Sequence, residues 1–236
     1  MRKNNLADNL IIAHRGIFDN KNIPENSLKA IQKAVTEKIP IEIDIQVLKD
    51  KNIIVFHDFN LKRMTNIAKM VSDMNLEDIK KLQLLNTKEK IPTLKEVLTL
   101  VKGKVLLDIE IKGNNYSHED LEIIAKELDN YTGTFIIKSF NFLVLNWFKK
   151  NRKNYIVGIL LSSHVKPRRY KLMLYFLTIF VFKYDFYACD KNLIDTPLIK
   201  YIRRRKIPIL VWTVRSRFEI ALYKKLANGI ICENIF

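Results

Sequence analysis

Apolar and polar positions follow two regular patterns that alternate from one end of the chain to the other. Short apolar stretches rich in β-branched residues have the length of β-strands, and the stretches between them have the apolar periodicity of amphipathic helices. This order predicts a parallel sheet whose strands are joined by crossover helices. The predicted strands are residues 10–13, 41–47, 53–57, 105–111, 134–138, 156–160, 186–189, 207–213 and 229–232. The predicted helices are residues 24–38, 92–101, 117–128, 141–150, 196–205 and 216–226.

The second and third predicted strands are separated by a turn short enough for a β-hairpin. Residues 41–48 and 53–58 can pair antiparallel around a loop at 50–51. The third predicted strand is then an arm of a hairpin and not a barrel strand, and eight parallel strands remain for the barrel. This register places Asp44 opposite His57, and directly opposed residues share a face. We therefore predict an α/β fold, a TIM (β/α)8 barrel with a β-hairpin and a small insertion after the second strand.

The length of the chain, 236 residues, suits one barrel domain better than two small ones. We predict a single domain over residues 1–236 that contains a small insertion subdomain at residues 59–91. Those inserted residues form the longest stretch without a barrel strand, and their pattern predicts a short helix at 76–82. No internal repeat or low-complexity linker divides the chain.

Composition narrows the compartment and the class of partner. The formal net charge is +16, but the lysines are scattered and no nucleic-acid-binding module accompanies them, so we expect no nucleic-acid partner. Anionic lipid surfaces and phosphate-bearing substrates are the other partners that such a charge favours. Cys189 and Cys232 lie far apart without metal-ligand spacing, which indicates a reduced, cytoplasmic protein. Residues 1–9 are polar and no run of 18 apolar residues occurs, so we expect neither a secretory signal nor a spanning helix.

Two predicted strands carry carboxylates on the face that would point into the barrel. In strand 41–47, Glu42 and Asp44 alternate with apolar residues, and Glu110 holds a similar position in a later strand. Inward carboxylates repel each other and lose hydration unless a cation satisfies them. A buried lysine or arginine is one solution, but a third acid favours a divalent metal, and oxygen ligands suit Mg²⁺ or Ca²⁺. Lys112 is either a phosphate-binding cation or the counter-ion of Glu110, and the spacing does not choose between them.

Two histidines are expected at the mouth of the barrel. His14 follows the first strand, where active sites of this architecture lie, and His57 ends the hairpin. One histidine alone is more often structural, but two on one rim provide a general acid and a general base. Arg15 and Gly16 suit close, bidentate contact with a phosphate group. Together with the carboxylates, these residues indicate a site that combines a divalent cation, an acid–base pair and a phosphate contact.

Several motifs resemble, in order and spacing, those of the glycerophosphodiester phosphodiesterase family. They are AHRG at 13–16, PENS at 24–27, EID at 42–44, VFHD at 55–58, EIK at 110–112, WTV at 212–214 and NGII at 228–231. The resemblance covers nearly the whole chain, and the linked set is far more specific than any one motif. It implies a TIM barrel with a small inserted subdomain that hydrolyses glycerophosphodiesters to glycerol 3-phosphate and an alcohol.

The resemblance also implies roles for particular residues of this sequence. The implied ligands of a divalent cation, Mg²⁺ or Ca²⁺, are Glu42, Asp44 and Glu110. The implied acid–base pair is His14 and His57. The implied substrate-binding residues are Arg15 and Lys112 at the phosphate, Glu25 near the site and Trp212 in the pocket wall. The family's scheme implies that a glycerol hydroxyl of the substrate attacks first and gives a cyclic phosphate, which water then opens.

Residues 166–187 join a basic cluster to an aromatic-rich apolar run. One interpretation is an outer barrel helix or core residues that flank a strand. The other is an interfacial patch that binds an anionic membrane through its basic residues and inserts its aromatic side chains into the boundary layer. That second hypothesis would place the protein at the periphery of the inner membrane face.

Two alternatives to the implied reaction stay open. The first is a lysophospholipase D-type phosphodiesterase that acts on membrane lysophospholipids. The second is a catalytically silent barrel that binds glycerophosphate or a membrane. The presence of both histidines beside the carboxylates argues against the silent barrel, because a binding module needs no acid–base pair. The sequence decides neither the leaving alcohol nor the oligomeric state.

Overall fold

A computed structural model describes residues 8–113, 115–164 and 183–236 of the chain. Its β-strands are β1 (Leu10–Ala13), β2 (Ile41–Val47), β3 (Ile53–Val55), β4 (Leu107–Ile111), β5 (Phe135–Ser139), β6 (Val157–Leu161), β7 (Phe186–Asp190), β8 (Ile209–Val214) and β9 (Gly229–Cys232). Its α-helices within the same ranges are α1 (Leu28–Thr36), α2 (Lys62–Thr65), α3 (Leu76–Ile79), α4 (Leu94–Val101), α5 (His118–Asp129), α6 (Phe142–Asn151), α7 (Pro197–Arg204) and α8 (Arg217–Tyr223). The strands fall where the apolar stretches predicted them, with ends that differ by a few residues at most.

The chain divides into two compact units, Ala13–Phe135 and Ile136–Ile235 with the start of β1. In the first unit, β2 pairs in parallel with the end of β1 and with all of β4, and antiparallel with β3. The backbone of β2 is therefore bonded on both sides, and its residues are buried except at the final position. This explains why polar groups on β2 need partners supplied by side chains or by ions.

The β2–β3 hairpin corrects one sequence prediction, because its register is one residue away from the expected one. Ile45 pairs with Val55, so Asp44 does not lie opposite His57. The loop has three residues rather than two, since the backbone N–H of Leu48 donates to the carbonyl of Asn52. Lys51 closes the loop in the left-handed conformation, with φ of 69°. Three-residue hairpin loops commonly end in such a residue, but a lysine there leaves no signal in the sequence.

The segment 59–91 and the hairpin form a local apolar cluster. The segment contains α2, a short 3₁₀ turn and α3, which begins where a helix was predicted but is shorter. Buried side chains of the cluster come from the hairpin and from the segment: Leu48, Ile54, Phe56, Leu61, Met64, Val71, Met74, Ile79, Leu84 and Ile91. We call this set the insertion core. It fixes α2 beside the end of β3.

The strands of the second unit pair with one another in parallel. The register within it pairs Ile137 with Val157, Gly158 with Phe186, Tyr187 with Ile209 and Leu210 with Gly229. The backbone N–H of Leu10 donates to the carbonyl of Asn228 at 3.0 Å, which joins β1 to the start of β9. Residues 165–182 lie outside the described residues, and most of the predicted interfacial segment 166–187 falls there. None of the helices in the described ranges combines the length and the hydropathy needed to cross a bilayer.

Candidate active site

Three buried carboxylates of neighbouring strands meet in the first unit. The parallel register of β2 and β4 pairs Asp44 with Glu110, and Glu42 lies two residues earlier on the same face of β2. The exposed fractions of Glu42, Asp44 and Glu110 are 1%, 1% and 7%. One carboxylate oxygen from each lies within 4.8 Å of the others. This arrangement follows from the alternation seen in the sequence.

The donor set of this cluster fits a hard divalent cation. All three donors are carboxylate oxygens, the ligands that Mg²⁺ and Ca²⁺ take in proteins. Asp44 Oδ1 is buried and accepts no hydrogen bond from the described residues, although the Lys112 ammonium lies 3.6 Å away. Asp44 Oδ2 is already used, because it accepts a hydrogen bond from the Asn26 amide at 3.0 Å. One oxygen of Asp44 thus remains available to a cation.

Cations surround Asp44 and keep it ionised. Burial by itself would raise the pKa of Asp44, but the positive charges of Lys112 and Arg15 outweigh burial and hold the pKa below its usual range. Lys112 Nζ lies 2.9 Å from Glu110 Oε1. Burial would lower the pKa of Lys112, yet Glu110 and Asp44 together raise it. Lys112 is therefore a fixed positive charge at the edge of the carboxylate cluster, and it is also the counter-ion of Glu110.

The loop after β1 brings Arg15 to the cluster through an unusual backbone. Arg15 and Gly16 have φ of 55° and 81°, both in the left-handed region. A Cβ on Gly16 would lie 2.8 Å from the Ala30 carbonyl carbon, so the close approach of this loop to α1 requires glycine. The Arg15 backbone N–H donates to Glu42 Oε2 at 3.2 Å. The loop conformation thus satisfies one carboxylate through the main chain.

The Arg15 side chain links this loop to the loop before α1. Its Nη1 donates to Glu25 Oε1 at 2.6 Å, and its Nε lies 3.3 Å from Asp44 Oδ2. Helix α1 begins at Leu28 rather than at residue 24, because Ser27 caps it by accepting from the Ala30 N–H. Residues 24–27 are therefore free to form a loop that carries Glu25 to Arg15.

The two histidines occupy different surroundings in the same unit. His14 Nε2 lies 3.9 Å from Glu42 Oε2. His57 Nδ1 lies 2.7 Å from Asp58 Oδ1. An ionised carboxylate can only accept, so Nδ1–H is the donor, and in the neutral ring Nε2 then carries the lone pair. Burial lowers the pKa of His57, and the charges of Lys112 and Arg15 lower it further, against the raising effects of Asp44 and Asp58. His57 is thus suited to be neutral at pH 7.

Arg63, on α2, connects the groups that hold Arg15 and His57. Its guanidinium donates to Glu25 at 2.7 and 3.0 Å and to Asp58 at 2.6 and 3.0 Å. Burial alone would raise the pKa of Glu25, but hydrogen bonds from Arg63 and the charge of Arg15 lower it to about 2. The insertion is therefore tied by ionic hydrogen bonds to both sides of the site.

Sequence reasoning did not single out Arg63, Asn26 or Asp58 as site residues. Asn26 and Asp58 belong to the PENS and VFHD motifs, so their membership of these motifs is the sequence signal that marks them as candidates. Arg63 is one of 41 lysines and arginines, and no periodicity marks it. Its function depends on the fold of the insertion.

The structure brings most of the predicted site residues together in the first unit, and Trp212 belongs to the second. The first-unit set is His14, Arg15, Glu25, Glu42, Asp44, His57, Glu110 and Lys112. Trp212 is half-buried on β8, with its ring edge-on to Phe140 at a centroid distance of 5.9 Å. Its role as a wall of the substrate pocket stays a prediction.

Comparison with known proteins relates this site to one family. The sequence profile of the glycerophosphoryl diester phosphodiesterase family matches residues 14–235. A glycerophosphodiester phosphodiesterase of Caldanaerobacter subterraneus subsp. tengcongensis is 32% identical over 238 aligned positions, which cover 95% of this chain and 94% of the relative. Both matches extend over nearly the whole chain.

Solved structures show the fold. A phosphodiesterase of Oleispira antarctica, in complex with the product sn-glycerol-3-phosphate, has a TM-score of 0.79 at 20% identity and covers 95% of this chain and 93% of its own. A glycerophosphodiester phosphodiesterase of Thermotoga maritima has a TM-score of 0.74 at 23% identity, and the match covers 97% of this chain and 96% of the Thermotoga chain. These similarities confirm the predicted TIM (β/α)8 barrel. The chain belongs to the glycerophosphoryl diester phosphodiesterase family, as its motifs predicted, and it is an enzyme of the phosphoric diester hydrolase class.

Proposed function

We propose that this chain hydrolyses glycerophosphodiesters to glycerol 3-phosphate and an alcohol, with a divalent cation at Glu42, Asp44 and Glu110 and with two histidines as acid and base. The observation that carries the proposal is the cluster of three buried carboxylates, whose oxygens lie within 4.8 Å of one another. A cluster of this charge has a physical reason to persist only if a cation and fixed basic groups balance it.

The bound cation, Mg²⁺ or Ca²⁺, would neutralise charge on the phosphate and lower the pKa of a nearby hydroxyl. Arg15 and Lys112 add two fixed positive charges at the edge of the same cluster. Arg15 is held by Glu25, and Lys112 is held by Glu110 at 2.9 Å. Both can therefore meet phosphate oxygens without reorganising, which is the main requirement for electrostatic stabilisation of a transition state.

His57 is proposed as the base of the first step. Asp58 fixes its Nδ1–H, so Nε2 can accept the proton of the attacking glycerol hydroxyl. As the oxygen of that hydroxyl bonds to phosphorus, the bond from phosphorus to the leaving alcohol breaks. His14 then gives its proton to the departing alkoxide. The roles reverse when water opens the cyclic phosphate, which restores both histidines.

The test is release of glycerol 3-phosphate from glycerophosphocholine and other soluble diesters, with Mg²⁺, Ca²⁺ or EDTA. The variant Glu42→Ala/Asp44→Ala removes two carboxylates of the cluster. The matched control is Glu77→Ala/Asp78→Ala, which removes two exposed carboxylates of α3. We expect cation-dependent release by the wild type and by the control, and none by the cluster variant.

Two other results would favour one of the alternative functions. Release only from micellar lysophospholipids would favour the lysophospholipase D-type reaction and, with it, the predicted contact of residues 166–187 with an anionic membrane. Tight binding of glycerol 3-phosphate without turnover of any diester would favour the catalytically silent barrel. Equal activity of the cluster variant and the wild type would remove the carboxylates from the mechanism.

A further inference from the structure

Helix α8 turns two large apolar side chains towards solvent. Phe218 is 80% exposed and Leu222 is 47% exposed. They are four residues apart, so their side chains lie on one face of the helix. Phe218 is the most exposed large hydrophobic side chain among the residues that the structure describes. Single exposed apolar residues are ordinary, whereas apolar residues grouped on a surface mark a site of interaction.

The fold of the second unit does not explain this apolar pair. The opposite face of α8 carries Tyr223, which is buried, and Ile220, which is half-buried, and the helix contacts β8. Ser216 caps the start of the helix by accepting from the Glu219 backbone N–H at 3.2 Å. Burial and capping therefore use other residues, and neither requires apolar side chains on the exposed face.

Basic side chains flank the apolar pair. Arg217 precedes the pair, Lys224 and Lys225 follow at the end of the helix, and all three are exposed. In the described part of the chain, no carboxylate lies within ion-pair distance of these three. The one acid of the helix, Glu219, is already paired with Lys191. We call the resulting basic and apolar surface the α8 outer face: Arg217, Phe218, Leu222, Lys224 and Lys225.

One edge of the second unit's sheet exposes further apolar side chains. Strands β5 to β8 pair in parallel, so the helices that follow β5 and β8 begin at the same edge. At that edge Phe140 is 41% exposed, and Leu143, in the first turn of α6, is 63% exposed. The ring of Phe140 meets the ring of Trp212 on β8 edge-on. A flat partner that contacts the start of α8 thus meets apolar side chains at the start of α6 as well.

The chemistry of the α8 outer face narrows the class of partner. In a two-fold contact between copies of this chain, the three cations of one copy would lie close to those of the other and repel them. An anionic lipid surface instead offers acidic headgroups to the cations and an apolar boundary to Phe218 and Leu222. The formal net charge of +16 also attracts the chain to such a surface from a distance.

We propose that the α8 outer face docks the protein on an anionic lipid bilayer. Phe218 and Leu222 enter the boundary between headgroups and acyl chains, and the three cations bind the headgroups around them. This surface is separate from residues 166–187, and the proposal does not depend on the reaction that the active site catalyses. Docking holds the end of β8 that carries Trp212 close to the lipid headgroups.

The first test is co-sedimentation of the protein with phosphatidylglycerol vesicles and with phosphatidylcholine vesicles. We expect binding to the anionic vesicles only, and loss of that binding at high salt. Arg217→Glu should weaken binding by at least about 5-fold, which is the contribution of one basic residue at an anionic surface. Phe218→Ser/Leu222→Ser should weaken it by at least about 10-fold, because both apolar side chains leave the boundary. Lys150→Glu is the matched control, since it makes the same change of net charge at an exposed lysine of α6, and it should bind as the wild type does.

The second test reports insertion directly. The two cysteines of the chain, Cys189 and Cys232, are both buried, so a cysteine introduced on the surface can be labelled selectively. Phe218→Cys labelled with a polarity-sensitive dye should shift its emission to the blue on phosphatidylglycerol vesicles. Tyr201→Cys, at a 38% exposed ring of α7, is the control and should show no shift.

Vesicle binding that Arg217→Glu and Phe218→Ser/Leu222→Ser leave unchanged would overturn the proposal and assign the binding to another surface. Absence of vesicle binding by the wild type, or equal dye shifts at positions 218 and 201, would also overturn it. Self-association that Phe218→Ser/Leu222→Ser abolishes, without any lipid binding, would assign the α8 outer face to a second copy of the chain. Release of glycerol 3-phosphate from soluble diesters should be equal in all these variants, so a failure of docking is distinguishable from a failure of the proposed function.

Discussion

Replacing Arg63 by alanine tests how the insertion holds the proposed active site. The guanidinium donates four hydrogen bonds of 2.6–3.0 Å, two to Glu25 and two to Asp58. Glu25 also holds Arg15, and Asp58 holds His57. The substitution should therefore loosen a proposed phosphate contact and a proposed proton carrier at once.

The structure limits the size of each effect. Hydrogen bonds to charged groups contribute about 1.5–3 kcal/mol, but the Arg63 side chain is 45% exposed and solvent screens its charge. We expect the free energy of unfolding to fall by only about 1–2 kcal/mol. Because a misplacement of about 1 Å can cost roughly 100-fold in rate, we expect kcat/KM to fall about 10–100-fold.

The assay is glycerol 3-phosphate release, with urea denaturation on the same samples of Arg63→Ala, Arg63→Lys and Met64→Ala. Met64 is 2% exposed in the insertion core, so Met64→Ala should lose about 2–5 kcal/mol of stability while all four ionic hydrogen bonds remain. We expect Met64→Ala to stay near wild-type activity wherever it is folded. Arg63→Lys should recover little, since an ammonium group cannot bond two carboxylates with a planar fork. Wild-type kcat/KM in Arg63→Ala, or an equal loss of activity in Met64→Ala and Arg63→Ala, would show that the hydrogen bonds of Arg63 do not hold the site.

Three further predictions concern stability. Gly16→Ala should lower the free energy of unfolding in urea by about 2 kcal/mol or more, because a Cβ there meets the Ala30 backbone at 2.8 Å; an unchanged midpoint would contradict this. The pKa of Glu25 is about 2 in the folded state against 4.5 ordinarily, so its carboxylate contributes roughly 3 kcal/mol above pH 4.5, and this is lost as the pH falls towards 2. The stability gap between wild type and Glu25→Gln should therefore narrow on acidification, and a constant gap would be the opposing result. Saturating Mg²⁺ or Ca²⁺ should raise the melting temperature of the wild type by roughly 5–10 °C and that of Glu42→Gln by much less, as measured by calorimetry.

The carboxylate cluster is the part of the site that the sequence predicts best. A β-strand repeats every two residues, so the alternation places Glu42 and Asp44 on one face of β2 and sets Glu110 apart from the apolar face of β4. Parallel pairing of β2 and β4 then needs only the right register to bring the side chains together. Because both strands are regular, the periodicity of each strand predicts which of its side chains lie next to those of the other strand.

The parts that sequence analysis missed depend on single backbone conformations or on irregular segments. The predicted hairpin register was wrong because Lys51 adopts the left-handed conformation, with φ of 69°, at a position where a glycine would have indicated it. The start of α1 was predicted four residues early, since Pro24 and Glu25 imitate a helix start while Ser27 provides the cap. Arg63 lies in a segment of short turns, where neither helix nor strand period applies. Such positions are decided by tertiary contacts.

The insertion core has a consequence for how this enzyme would lose activity on heating. Proteins open locally, in cooperative pieces whose free energies of opening are below that of the whole fold. Leu61, Met64 and Val71 bury their side chains in the insertion core, which also receives residues of the hairpin. Opening of this piece would release Arg63 from Glu25 while the rest of the sheet stayed intact. Thermal inactivation would then report the melting of a small peripheral cluster, and hydrogen exchange at the amides of α2 would run ahead of exchange in β2 and β4.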